Sequence, residues 1–165
     1  MVKIVEAYKD WLPPPKTRAA VEALIASVPD RYAIGLGCIV LSNSSALTGH
    51  RKRRKHKSSG GKYPSSDVEG LYHHAWRGEA AWIELFVDKI FAGSPRWAFK
   101  LRVVREGFLA LTLFHELGHH LHSTQSPEHR DKEQFAESCE CSWLRGRLRR
   151  SRRGRCLHRL RPRPG

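Results

Sequence analysis

The chain has 165 residues, 40% of them hydrophobic, and a formal net charge of +14. That is enough for one ordinary domain with its own core, and too few apolar residues in any one run to span a bilayer. The charge is local: Arg51–Lys57 holds six Lys or Arg and the stretch from Arg145 onward holds ten Arg, of 30 in all. The four cysteines, Cys38, Cys139, Cys141 and Cys156, are too few and too scattered for a disulfide scaffold. The opening "MVKIVEAYKDWLPPP" has no apolar signal-peptide region. The expectation is a soluble, cytoplasmic protein with reduced thiols and no membrane partner.

In chain order, Val21, Leu24, Ile25 and Val28 recur at helical spacing and predict a first helix over about Thr17–Val28, with Thr17 as its N-cap. Alternation of Ile34, Leu36, Cys38 and Val40 predicts a strand. The Lys-, Ser- and Gly-rich residues 51–67 read as a mobile basic loop. "GLYHHAWRGEAAWIELFVDKIF" reads as two extended pieces joined at Arg77-Gly78-Glu79. In the second, Ile83, Leu85 and Val87 alternate with Trp82, Glu84, Phe86 and Asp88. From about Trp97 to Ser123 the pattern is helical and apolar around most of its circumference, which predicts a central helix. A last helix is expected over about Glu128–Leu144, followed by an Arg-rich, disordered tail, 145–165. The predicted fold is α+β: a small, partly antiparallel sheet packed on the central helix, with one helix before it and one after, all within 1–144.

The central helix carries the chemistry. His115, Glu116 and His119 form H-E-x-x-H. Residues four apart share a helix face, so two imidazoles can hold one tetrahedral Zn2+. Glu116, rotated beside them, can take the proton of a zinc-activated water and pass it to a leaving amine. Gly118 allows another backbone close to the helix. A catalytic zinc needs a third protein ligand and an open position. The metzincin spacing would put a His where Gln125 stands and a Gly where His122 stands, so that pattern fails. Downstream, Glu128, His129, Glu133 and Glu137 are all candidates.

"KEQFAESCE", with Glu133, Ala136 and Glu137 spaced as E-x-x-A-E, resembles the gluzincin metallopeptidases, whose small members include the minigluzincins and, in layout, the ImmA/IrrE-like peptidases. The resemblance covers about Leu101–Leu144. It implies that Glu133 is the third ligand and that Glu137, where the pattern usually has Asp or Asn, accepts the free N–H of a ligand histidine. It also implies a peptide substrate extended along an edge strand beside the helix. "AWIELFVD" is the candidate edge, with Trp82, Glu84 and Phe86 lining the cleft, against the alternative of an ordinary central strand. Tyr72, or His73 or His74 beside it, is a candidate for stabilising the oxyanion.

Other features carry less. His120 and His122 read as surface histidines off the ligand face. Cys139 and Cys141 face different ways on a helix and complete no second zinc site. Arg51–Lys57 and the Arg-rich tail admit polyanion binding, plain solvation or, for the tail, an unselected GC-rich stretch. The expected function is zinc-dependent peptide-bond hydrolysis. A zinc-containing regulatory or partner-binding module without proteolysis, and a basic nucleic-acid-binding protein, are the alternatives.

Overall fold

The computed structural model describes residues 2–48, 55–58, 61–64, 67–95 and 97–159, and the side chains of 2–48, 67–95 and 97–146 among them. The fold is α+β. Strand β1 (Lys3–Ala7) leads to helix α1 (Thr17–Ile25) and strand β2 (Leu36–Ser42). Then come strands β3 (Lys55–Ser58) and β4 (Gly61–Pro64), strands β5 (Gly70–His73) and β6 (Ala81–Phe86), and a single helical turn, α2 (Val87–Ile90). Helices α3 (Arg102–Gln125) and α4 (Lys132–Arg159) complete the chain. Among the described residues no helix is long and apolar enough to cross a membrane.

One sheet has the order β1-β2-β6-β5, parallel except for the antiparallel pair β5–β6; among the described residues β3 and β4 pair only with each other. The β5–β6 connection is a tight turn in which Trp76 and Glu79 exchange backbone hydrogen bonds of 3.2 and 2.9 Å. Side chains alternate across a strand, so the register decides what faces what. Tyr72 lies opposite Ile83 and Gly70 opposite Leu85. Ile83 and Leu85, with Ile39 and Leu41 of β2, are fully buried and join Leu109, Leu113 and Leu117 of α3 in the core. Trp82, Glu84 and Phe86 project to the opposite face.

Several expectations are corrected. β6 is a central strand paired on both sides, and β5 is the edge. Thr17 is the first helical residue rather than the cap: Lys16 precedes the helix in a left-handed conformation, and the Thr17 hydroxyl donates to Pro14 O at 2.7 Å. Residues 55–58 and 61–64 of the expected basic loop form the β3–β4 hairpin; Arg51–Arg54, residues 59–60 and residues 65–66 lie outside the described residues. The last helix begins at Lys132, because the Asp131 carboxylate caps it, accepting from the N–H of Glu133 at 3.1 Å and of Gln134 at 3.0 Å. It also runs on past Leu144 to Arg159. Arg and Leu are good helix formers, and no proline interrupts until Pro162. Residues 160–165 of the expected tail lie outside the described residues.

Candidate metal centre

α3 and α4 cross where their smallest residues meet. A Cβ on Gly118 would fall 2.6 Å from Ala136 Cα and 2.9 Å from its carbonyl oxygen. No side chain fits there, so glycine is what lets the backbones touch. Ala136 is itself fully buried. Phe114 of α3 and Trp143 of α4 close the contact further along, ring centroids 5.6 Å apart. The crossing sets Glu133, one turn before Ala136, against His115 and His119.

The three groups converge. His115 Nε2 and His119 Nε2 are 3.1 Å apart, and Glu133 Oε2 lies 3.5 Å from the first and 3.4 Å from the second. Donors bound about 2.0–2.2 Å from a tetrahedral ion lie about 3.3–3.6 Å from one another; the two sides to Glu133 fall in that range and the His115–His119 side, 3.1 Å, is slightly shorter, so a small shift would let all three atoms meet one ion. Burial lowers His119 to about 3, with His115 and Lys132 adding to the effect. The ring stays neutral, with a lone pair available to a cation. Among the described residues this is the one His/Cys/Asp/Glu group so arranged.

Glu116 sits beside the triangle beneath the edge strand. A Cβ on Gly70 would lie 2.8 Å from Glu116 Cγ and 2.7 Å from Thr112 Cγ2, so Gly70 is what lets β5 rest on α3. Burial lifts the Glu116 carboxyl to about 8, against the pull of the Tyr72 backbone N–H donating to it; Glu133 raises it and Lys132 lowers it. A divalent cation beside it would favour the charged form. Thr112 donates to Glu69 at 2.9 Å, fixing the entry to β5.

A cleft of about 440 Å³ opens over these groups, walled by Glu69–Tyr72 and His74 on one side, by Leu111, His115, Glu116, His119 and His122 of α3, and by Lys132, Glu133 and Glu140 of α4. Among the described residues the outer edge of β5 pairs with no strand.

Other expected site residues stand elsewhere. Glu84 and Phe86 are buried on the far face of the sheet and Trp82 points there too, so none of the three lines the cleft. The alternation marks a strand, but one buried on both faces rather than on one, and β5 covers the edge that β6 would have offered. His73 shares that far face, stacked on Trp82 with ring centroids 3.7 Å apart. Tyr72, one residue earlier, is on the cleft side, as is His74, whose Nδ1 lies 3.0 Å from Ser123 Oγ. Glu137 is exposed; the carboxylate that faces His115 Nδ1, at 3.6 Å, is Glu140. His120 is 1% exposed rather than on the surface: its Nε2 donates to Ile34 O at 2.9 Å, and its Nδ1 is 3.3 Å from the Tyr72 hydroxyl. His122 is half-buried at the cleft, its Nε2 donating to His129 O at 2.7 Å. Cys38, Cys139 and Cys141 are free thiols.

Compared with protein-family models, with curated proteins and with solved structures, the chain matches none. The geometry of the site therefore carries its chemistry alone.

Proposed function

We propose that the chain is a zinc-dependent metallopeptidase of gluzincin type, with His115, His119 and Glu133 as ligands and Glu116 as the proton carrier. The observation that supports it is the triangle of donor atoms, 3.1, 3.4 and 3.5 Å on its sides, in an open cleft beside a buried carboxylate. Zinc, when bound, supplies a Lewis acid that activates water and polarises a carbonyl. The rest falls to the chain. The outer edge of β5, unpaired among the described residues, can pair with an extended peptide, holding a carbonyl over the cleft. Glu116, charged once a cation is beside it, accepts a proton from the attacking water and delivers it to the leaving nitrogen. The burial that raises its basicity suits it to both transfers. Tyr72, on the cleft wall, is the candidate for stabilising negative charge on the substrate oxygen, to which its O–H must turn from His120 Nδ1, 3.3 Å away; His73, turned away, is not.

Cleavage of a peptide library by the zinc-loaded chain, with and without chelator, tests this reading. Glu116→Gln is expected to keep one zinc per chain and to lose activity by about a thousandfold. Cleavage at the wild-type rate by that variant would exclude the mechanism. Full zinc binding with no cleavage by the wild type would favour the non-proteolytic zinc module.

A further inference from the structure

His115 stands between two carboxylates of α4. Glu133 Oε2 is 3.5 Å from its Nε2, and Glu140 Oε2 is 3.6 Å from its Nδ1. At about 100° per residue, Glu140 lies about 20° from Glu133 around α4, on the side of Ala136, whereas Glu137 lies about 40° to the other side. Ala136 is pressed on Gly118, so the side of α4 that faces α3 is the side of Glu140. The exposure of the two residues agrees: Glu137 is exposed, while the Glu140 side chain is 18% exposed.

We infer that Glu140, rather than Glu137, is the positioning residue of the site: it accepts the Nδ1–H of His115 and so holds the Nε2 lone pair on the metal. The inference rests on the metal-centre reading above. A ring that ligates through Nε2 must carry its proton on Nδ1, and that proton needs an acceptor. Glu140 is the carboxylate facing it. At 3.6 Å the pair is longer than a made hydrogen bond, and a small rotation of the flexible Glu140 side chain closes the gap. Glu133 and Glu140 sit two helical turns apart on one face, so each tethers α4 to the same imidazole. Metal binding and the docking of α4 on α3 are thereby coupled.

The test is zinc affinity, measured by competition with a chromophoric chelator on the full chain, for Glu140→Ala, Glu140→Gln and Glu137→Ala. The expected loss is about 10- to 100-fold for Glu140→Ala, less for Glu140→Gln, which keeps an acceptor oxygen, and none for Glu137→Ala. Wild-type affinity in Glu140→Ala, or an equal loss in Glu137→Ala, would overturn the assignment. Should Glu140→Ala fail to fold, nitrogen-15 spectra of the zinc-loaded wild type and Glu140→Gln decide: a His115 Nδ1–H resonance that moves in Glu140→Gln supports the assignment, and one that does not move, or a His115 protonated on Nε2, overturns it. A wild-type chain that binds no zinc would overturn the metal centre itself, a result distinct from either.

Discussion

The two halves of α3 invert the usual rule of burial. In the N-terminal half, apolar side chains meet water: Val103 is 83% exposed, Leu111 45% and Phe108 37%. From the midpoint on, polar ones are buried: Thr112, Glu116 and His120 are each under 9% exposed, whereas the residues before them bury one, Arg105, which donates to Phe99 O at 2.8 Å. Scattered exposed apolar residues are ordinary on a protein surface, whereas buried titratable groups are costly and call for partners. The second half supplies them. Glu69 accepts from Thr112, Ile34 O accepts from His120, and the Tyr72 backbone N–H donates to Glu116. Both β5 and α4 lie over this half, and the candidate metal ligands emerge between them. The candidate site lies where the helix departs from its own polarity pattern at an energetic cost.

Three substitutions would break or sharpen that contrast. Gly118→Leu should have the largest effect, since even a Cβ there meets backbone at 2.6 Å. α4 would lift away with Glu133, costing at least about 3 kcal/mol in a denaturant melt and weakening zinc binding about a hundredfold or more. Unchanged zinc affinity would show that α4 does not complete the site.

Glu116→Gln should come next, read in the metal-free chain as a function of pH. The folded pKa of Glu116 is raised from 4.5 to about 8, so the folded state holds a proton that the unfolded state has lost. Stability from this group is therefore full below about pH 4.5 and declines as pH rises through about 8. His119 acts in the opposite sense at lower pH, losing stability as pH falls from 6.5 toward about 3, but equally in both proteins. The stability of Glu116→Gln relative to wild type should thus rise by about 4 kcal/mol between pH 5 and pH 9. A constant difference would mean that the carboxylate is not desolvated.

Val103→Gln, in the exposed half, should do least. A shift within about 0.5 kcal/mol and unchanged zinc affinity are expected. A large loss of either would mean that something covers this half of α3.

How much of this was legible in the sequence follows from the range of the interactions. The α3 motif was readable because His115, Glu116 and His119 are placed by one helix alone. Gly118 and the Glu133–Ala136 spacing were readable because a helix crossing leaves a small-residue mark on each partner. β5 was not recognised as the edge: its four residues, Gly70–His73, are too short for a clear alternation, and only its pairing with β6 gives it a place. That one substitution of edge for centre moved Trp82, Glu84 and Phe86 out of the cleft. Glu140 was overlooked for a similar reason. Whether the residue four or seven positions after Glu133 faces His115 depends on the rotation of α4, and contact with α3 sets that rotation. His120 looked like a surface group because its partner, Ile34, is 86 residues away in sequence.

Everything proposed for this chain depends on His115, His119 and Glu133 forming one metal centre at the α3–α4 crossing. Calorimetric titration of the metal-free chain with zinc, beside the same titration of Glu133→Ala, tests it most directly. One zinc per wild-type chain and at least a hundredfold weaker binding for the variant are expected. A wild-type chain that takes up no zinc, or a variant that binds it as tightly, would contradict it.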